Sequence, residues 1–183
     1  MEKDIRKGWD VFTTIEKYNN REDLEKGVCD IKEVRGNILL IEGVRAIWER
    51  LAGYGDPMPA AFNESNSHIG IGGPQQVPEG DAGGGELDQA TNEATGLRAD
   101  TDADAPDNVL NYQPMMTGFP VIEDNRMTFK SEFSELDANG IWHEWTVANG
   151  DSNAAINLNL KNEPMGEKFE GAIWRITVEI RLT

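Results

Sequence analysis

Four aspartates are the first residues of this chain whose types and spacing could do chemistry. In the run Asp100-Thr-Asp-Ala-Asp-Ala-Pro-Asp107, Asp100, Asp102 and Asp104 recur at the odd spacing with which calcium loops present carboxylates, and Asp107 follows closely. Oxygen ligands so placed suit a hard cation. A helix-flanked calcium loop also requires glycine at its sixth position and glutamate at its twelfth, where this chain has Ala105 and Asn111. The run therefore reads first as a solvated acidic loop, with the four aspartates as weak candidates for a structural cation. No other cofactor is implied.

The remaining reactive residues do not assemble into a catalytic pattern. His68 and His143 are the two histidines, and His143-Glu144 falls in a strand pattern with no second histidine one helical turn on, so zinc chemistry is not indicated. Ser67-His-Ile-Gly-Ile-Gly-Gly73 lacks the lysine and hydroxyl residue of a phosphate loop, and Pro74 and Pro78 follow where a dinucleotide fingerprint would open a helix. Neither Gly-x-Ser-x-Gly nor an activated-cysteine context occurs. The lone cysteine, Cys29, cannot form an intramolecular bridge and reads as a small buried hydrophobe. Carboxylates are abundant, but nothing singles out a glycosidase pair. The expectation is a protein that is not an enzyme.

Charge narrows the partners. Against 17 basic residues stand 33 acidic ones, a formal charge of −16 over 183 residues, which repels a nucleic-acid backbone. Acidity on this scale fits ordinary solubility, with a salt-loving host as the alternative. The N-terminus carries charges with no apolar run behind them, and nowhere do 18 apolar residues stand together, so neither a signal peptide nor a membrane span is expected.

These side chains need elements to hold them, and the spacing is mostly that of strands. Residues 8–17 place Trp9, Val11, Thr13 and Ile15 on one side and Asp10, Phe12, Thr14 and Glu16 on the other. Val28 to Val34 alternates again. From Asn37 to Ala52, Ile38, Ile41, Val44, Ile47, Trp48 and Leu51 recur at three- and four-residue steps, predicting the one substantial helix over 38–52, with Asn37 as cap and Gly53 as stop. A sheet covering its apolar stripe is the first expectation, a neighbouring subunit the second. The glycines of 67–73 leave room for another backbone. Residues 74–111 read as a long acidic loop poor in large apolar side chains. Strands then follow at about 126–133, 141–148, 155–161 and 172–182, separated by turn sequences such as Asn162-Glu-Pro-Met-Gly166. Trp142 and Trp145, three apart in one strand, should face opposite ways; with Trp145 inward, Trp142 becomes an exposed interface candidate.

The predicted fold is mainly β, an antiparallel, jelly-roll-like sandwich with one packed helix. Residues 1–35 form N-terminal strands or an interaction arm, whose Trp9, Val11 and Ile15 could pair with a neighbour's sheet edge, and 36–183 form the sandwich.

Four stretches carry a resemblance to a family of small tailed-virus virion proteins, several of which decorate the capsid. They are Gly36-Asn-Ile-Leu-Leu-Ile-Glu-Gly43; Ala61-Phe-Asn-Glu-Ser-Asn-Ser-His-Ile-Gly-Ile-Gly72; Met127-Thr-Phe-Lys-Ser-Glu-Phe133 with Ala138-Asn-Gly-Ile-Trp-His-Glu-Trp-Thr-Val147; and Leu158-Asn-Leu160 through Trp174-Arg-Ile-Thr-Val-Glu-Ile180. The resemblance implies a non-catalytic decoration protein on the outer capsid surface, with its own copies in a trimer and the major capsid protein as partners. Two alternatives stand beside it: a tail or fibre component, and a carbohydrate-binding module using Trp142 and a cation in the aspartate run.

Overall fold

The alternating segment at the C-terminal end becomes an interior strand of one of two sheets in the computed structural model, which describes residues 8–73, 109–152 and 154–182. In chain order the elements are β1 (Trp9–Tyr18), α1 (Arg21–Lys26), β2 (Asp30–Arg35), β3 (Ile38–Leu39), α2 (Ile41–Ala52) and β4 (His68–Gly72). They continue with β5 (Leu110–Pro114), β6 (Val121–Glu123), β7 (Arg126–Phe133), β8 (Gly140–Ala148), β9 (Asn159–Lys168) and β10 (Ile173–Leu182). One five-stranded sheet has the order β2-β1-β10-β7-β6 and the other β3-β9-β8-β4-β5, every pairing antiparallel. The protein is mainly β, as the spacing of the strands predicts.

Period-two patterning explains the core. On β1, Val11 and Ile15 pair with Ile180 and Ile176 of β10, whose Val178 and Trp174 pair in turn with Phe129 and Phe133 of β7. Their buried side chains share one cluster with Ile69 and Ile71 of β4 and Trp145 and Val147 of β8, so both sheets contribute to a single core. Each such side chain, fully buried, contributes about 1.5–3 kcal/mol. A smaller cluster, Leu40 and Leu160 with Ile38, Leu110 and Tyr112 packed on it, lies apart from this core.

Polar residues close the turns as their chemistry allows. Asn20 caps α1, its side-chain oxygen accepting the Asp23 N–H at 2.9 Å. The Asp137 carboxylate accepts the Ser134 N–H at 2.9 Å in the β7–β8 connection. Two core groups fasten that connection from below: the Trp142 indole N–H donates to Ala138 O at 2.6 Å, and buried Lys168 donates to Ser134 O and Asn139 Oδ1, both at 2.8 Å.

Several expectations need correction. The segment 9–35 is no free arm: β1 lies between β2 and β10 of its own chain, and Val11 and Ile15 are core residues. Helix α2 begins at Ile41 rather than 38, because Ile38 and Leu39 pair with Leu160 and Asn159 of β9; its N-cap is Leu40, and Asn37 does not cap it. A second helix, α1, occupies the charged segment after Asn20. Asn162-Glu-Pro-Met-Gly166 is not a turn but runs inside β9, with Pro164 exposed. Leu110 and Asn111, expected in the loop, begin β5, whose Tyr112 fills the space left by a glycine: a Cβ on Gly70 would lie 2.4 Å from the Tyr112 ring. A side chain, not a backbone, occupies that room.

Candidate interaction surface

The site is built on α2, and what fixes the helix is its smallest residue. A Cβ on Gly43 would stand 2.5 Å from Leu158 Cα and 2.7 Å from Asn157 O, so the helix lies directly against the backbone entering β9. Two bonds hold this contact: the Leu40 N–H donates to Leu158 O at 3.0 Å, and the Glu42 carboxylate accepts the Asn157 N–H at 2.7 Å. The glutamate also sits in the first turn, where a negative charge complements the helix dipole. Gly43 and Ala46 are buried and Ile47 packs on the main core.

The helical stripe expected from the sequence is therefore divided between two sides. With Gly43, Ala46 and Ile47 turned to the body, Ile41, Trp48 and Leu51 are left 51%, 61% and 74% exposed. Ile41 and Trp48 border a hollow of about 370 Å³ whose other lining residues are Leu39, Val44, Arg45 and Glu49. At its rim Arg45 Nε donates to Glu49 Oε1 at 2.7 Å, one turn on. Beyond the helix end, Arg50 donates to Pro59 O at 2.6 Å, tying down a segment with exposed Tyr54 and Met58.

A second apolar hollow, of about 230 Å³, opens where α2 meets the end of the first sheet. Ile47 forms one wall, and Trp9, Ile122, Met127 and Leu182 form others, with Asp124 and Arg126 at the polar end. Trp9, an interface candidate from its alternation, is half-buried here, while Ile122 and Leu182 project further out.

The outward face of the first sheet has a different character. Lys130 pairs with Glu16 at 2.7 Å, Arg175 with Glu132 at 2.7 Å, and Arg181 and Arg126 with Glu179 at 2.7 and 3.3 Å. Arg35 and Arg181 each stand 5.5 Å from the Phe12 ring centroid. Burial would raise the Glu16 pKa, but the hydrogen bond and charge of Lys130 outweigh it and hold that carboxyl below its ordinary value. The Tyr18 hydroxyl, which donates to Glu16 at 3.0 Å, is pushed up to about 12 by burial and by that carboxylate. On the opposite side of β1, the Lys17 ammonium lies 4.4 Å from the Trp174 ring centroid and donates to Met165 O. Burial, helped by Lys32, pushes its pKa down.

The other residues singled out by sequence are not brought together. Trp142, expected at an exposed interface, is fully buried, with Phe133 and Trp174 as edge-on neighbours. The reason is a shift in strand register: Trp142 pairs with Gly166, but Glu144, two residues on, pairs with Asn162, four residues back along β9. That irregularity breaks the alternation, so Trp142 and Trp145 both enter the core. Asp100, Asp102, Asp104 and Asp107 lie outside the described residues. His68 Nδ1 lies 3.0 Å from Asn66 O and His143 Nδ1 2.8 Å from Asn162 Oδ1, two separate local contacts. Among the described residues no group of three or more His, Cys, Asp or Glu is placed to hold a metal, and no helix is long and apolar enough to cross a membrane.

Trp48 is the surface residue that the spacing alone did not single out. The available signal was Gly43 and Ala46, small residues three apart, which mark the side of a helix that approaches another backbone and so turn the bulky stripe outward. Comparison with protein-family models, curated proteins and solved structures finds no match for this chain.

Proposed function

We propose that this chain is a structural protein of a tailed virus that binds the outer surface of the assembled head as a homo-oligomer, a trimer, and cements it through contacts with the major capsid protein. Its two sheets would then form a jelly-roll-like sandwich. The observation that carries this reading is the pair of apolar hollows on the two sides of α2, one bordered by Trp48 and the other by Trp9. A decoration protein needs two such surfaces, one for its own copies and one for the shell. The sequence resemblance supplies the identity of the shell.

No chemistry is required of it. A protein that binds the assembled shell but not its free subunits stabilises the shell by mass action, by about 2.7 kcal/mol per site when its free concentration is a hundred times Kd. The carbohydrate-binding alternative relied on Trp142 as an exposed platform, and that ring is enclosed.

Mass spectrometry of purified virions, with heads and tails separated, tests the proposal. Hundreds of copies on tail-free heads are expected. A few copies confined to tails would replace it with the tail alternative and retire the cementing mechanism.

A further inference from the structure

We infer that the Trp48 face of α2 is covered by a second copy of this chain. This deepens the proposed function and rests on its oligomer half alone, independent of any shell.

Charge identifies the occupant. The chain carries −16, so copies repel one another wherever their acidic surfaces meet. Helix α2 carries no net charge: its charged residues are Glu42, Arg45, Glu49 and Arg50, two of each sign. On this neutral stretch the large apolar side chains Ile41, Trp48 and Leu51 are exposed beside Arg45 and Arg50, and tryptophan is among the residue types enriched at the energetic centre of interfaces. A basic partner would seek the acidic surface instead. An identical copy can approach here without a net charge on the helix opposing it, and contact removes Ile41, Trp48 and Leu51 from water.

The rim supports the same occupant. Arg45, with its side chain 77% exposed, and Glu49 give each copy one charge of each sign to offer the other. The chain's own segment 74–108 is a poor alternative cover on composition: it holds nine acidic residues and one arginine, and Val77, Leu87 and Leu97 are its only large apolar side chains. Half the formal charge of the protein resides in it, and a neutral apolar patch offers that charge no compensating partner while costing it hydration.

The test is sedimentation equilibrium of the purified full-length chain at low salt and at about 1 M, where the Debye length falls from roughly 10 Å at 0.1 M to roughly 3 Å. Self-association is expected, and it should tighten with salt as like charges are screened. Trp48→Asp should weaken it roughly thirtyfold or more, the scale of a buried interface tryptophan. Its far-UV circular dichroism and monomer melting temperature should match the parent's. Arg45→Glu should weaken association by setting like charges at the rim, and Arg45→Glu with Glu49→Arg should restore it, a reading of the same face independent of Trp48.

A chain that stays monomeric in both salts overturns the inference, as does an oligomer that Trp48→Asp or Arg45→Glu leaves unchanged. Association that weakens with salt would also overturn it, since that signature belongs to attraction between opposite charges. A monomer strongly destabilised by Trp48→Asp would show that the chain covers this face itself. Each of these results leaves the head-binding measurement standing as a separate question.

Discussion

Trp142 meets Trp174 edge to face, their ring centroids 4.7 Å apart and their planes at 67°, and Phe133 meets Trp142 at the same separation and angle. β7, β8 and β10 each contribute one ring, so this contact joins the two sheets. Edge-on pairs of this kind add about 0.5–1.5 kcal/mol beyond the area they bury. Trp142 also uses its polar edge, donating to Ala138 O at 2.6 Å.

Trp142→Ala should therefore lower stability by about 3–5 kcal/mol, the range for removing a buried aromatic. Trp142→Phe should lose less but still lose the bond to Ala138. Urea denaturation measures both, and a loss below about 1 kcal/mol for the alanine variant would contradict the buried position.

Gly43→Ala sets two effects against each other. Alanine is favoured over glycine within a helix by about 1 kcal/mol. The new methyl, however, would stand 2.5 Å from Leu158 Cα, a backbone atom held by the bonds from Leu40 and to Glu42. A net loss of about 1–3 kcal/mol is expected, as for overpacking. Gly70→Ala meets a tyrosine ring instead, and its cost should shrink when Tyr112→Ala is already present, a non-additivity that a double-mutant cycle reads directly.

Thr13→Val tests a buried hydrogen bond of nearly unchanged shape. Trp145 Nε1 donates to Thr13 Oγ1 at 3.2 Å, and both residues are buried. Valine removes the acceptor and leaves the indole N–H unsatisfied, at a cost of about 1–3 kcal/mol. Thr13→Ser, which keeps the oxygen, should cost less.

The pH dependence has two limbs with opposite origins. Glu16 has its pKa lowered in the folded protein, so its contribution is present above the ordinary value of 4.5 and is lost as pH falls through the lower folded value. Glu16→Gln should flatten that acid limb. Tyr18 is raised from 10.0 to about 12, so the unfolded chain ionises first and stability is lost between those values as pH rises. Tyr18→Phe should remove this alkaline loss. Chemical denaturation from pH 2 to 5 and from pH 9 to 12 measures each limb, and parallel curves for parent and variant would contradict the assignment.

What the sequence by itself determined is the local register of its strongest patterns. Ile173–Leu182 is a strand because large apolar side chains recur at every second position, and Arg126–Phe133 follows the same phase through Met127, Phe129 and Phe133; burial of one face rewards that conformation. Gly53 ends α2 in a left-handed conformation, at φ 70°, as its position after the apolar stripe predicts. Tertiary structure decided everything that depends on a partner distant in the chain. Trp142 is buried because β9 shifts register opposite it, and no pattern within β8 records what β9 does. Val11 and Ile15 belong to the core because β10, some 160 residues on, supplies the adjoining strand. Short β3 exists through Leu160 and Asn159, and Asn162–Gly166 stays within β9 because its two ends pair with Glu144 and Trp142 of β8, overriding the turn preference of its residues. The exposure of Trp48 follows from a close backbone approach: Gly43 lets the helix rest on Leu158, and that contact, not periodicity, selects which half of the apolar stripe faces out.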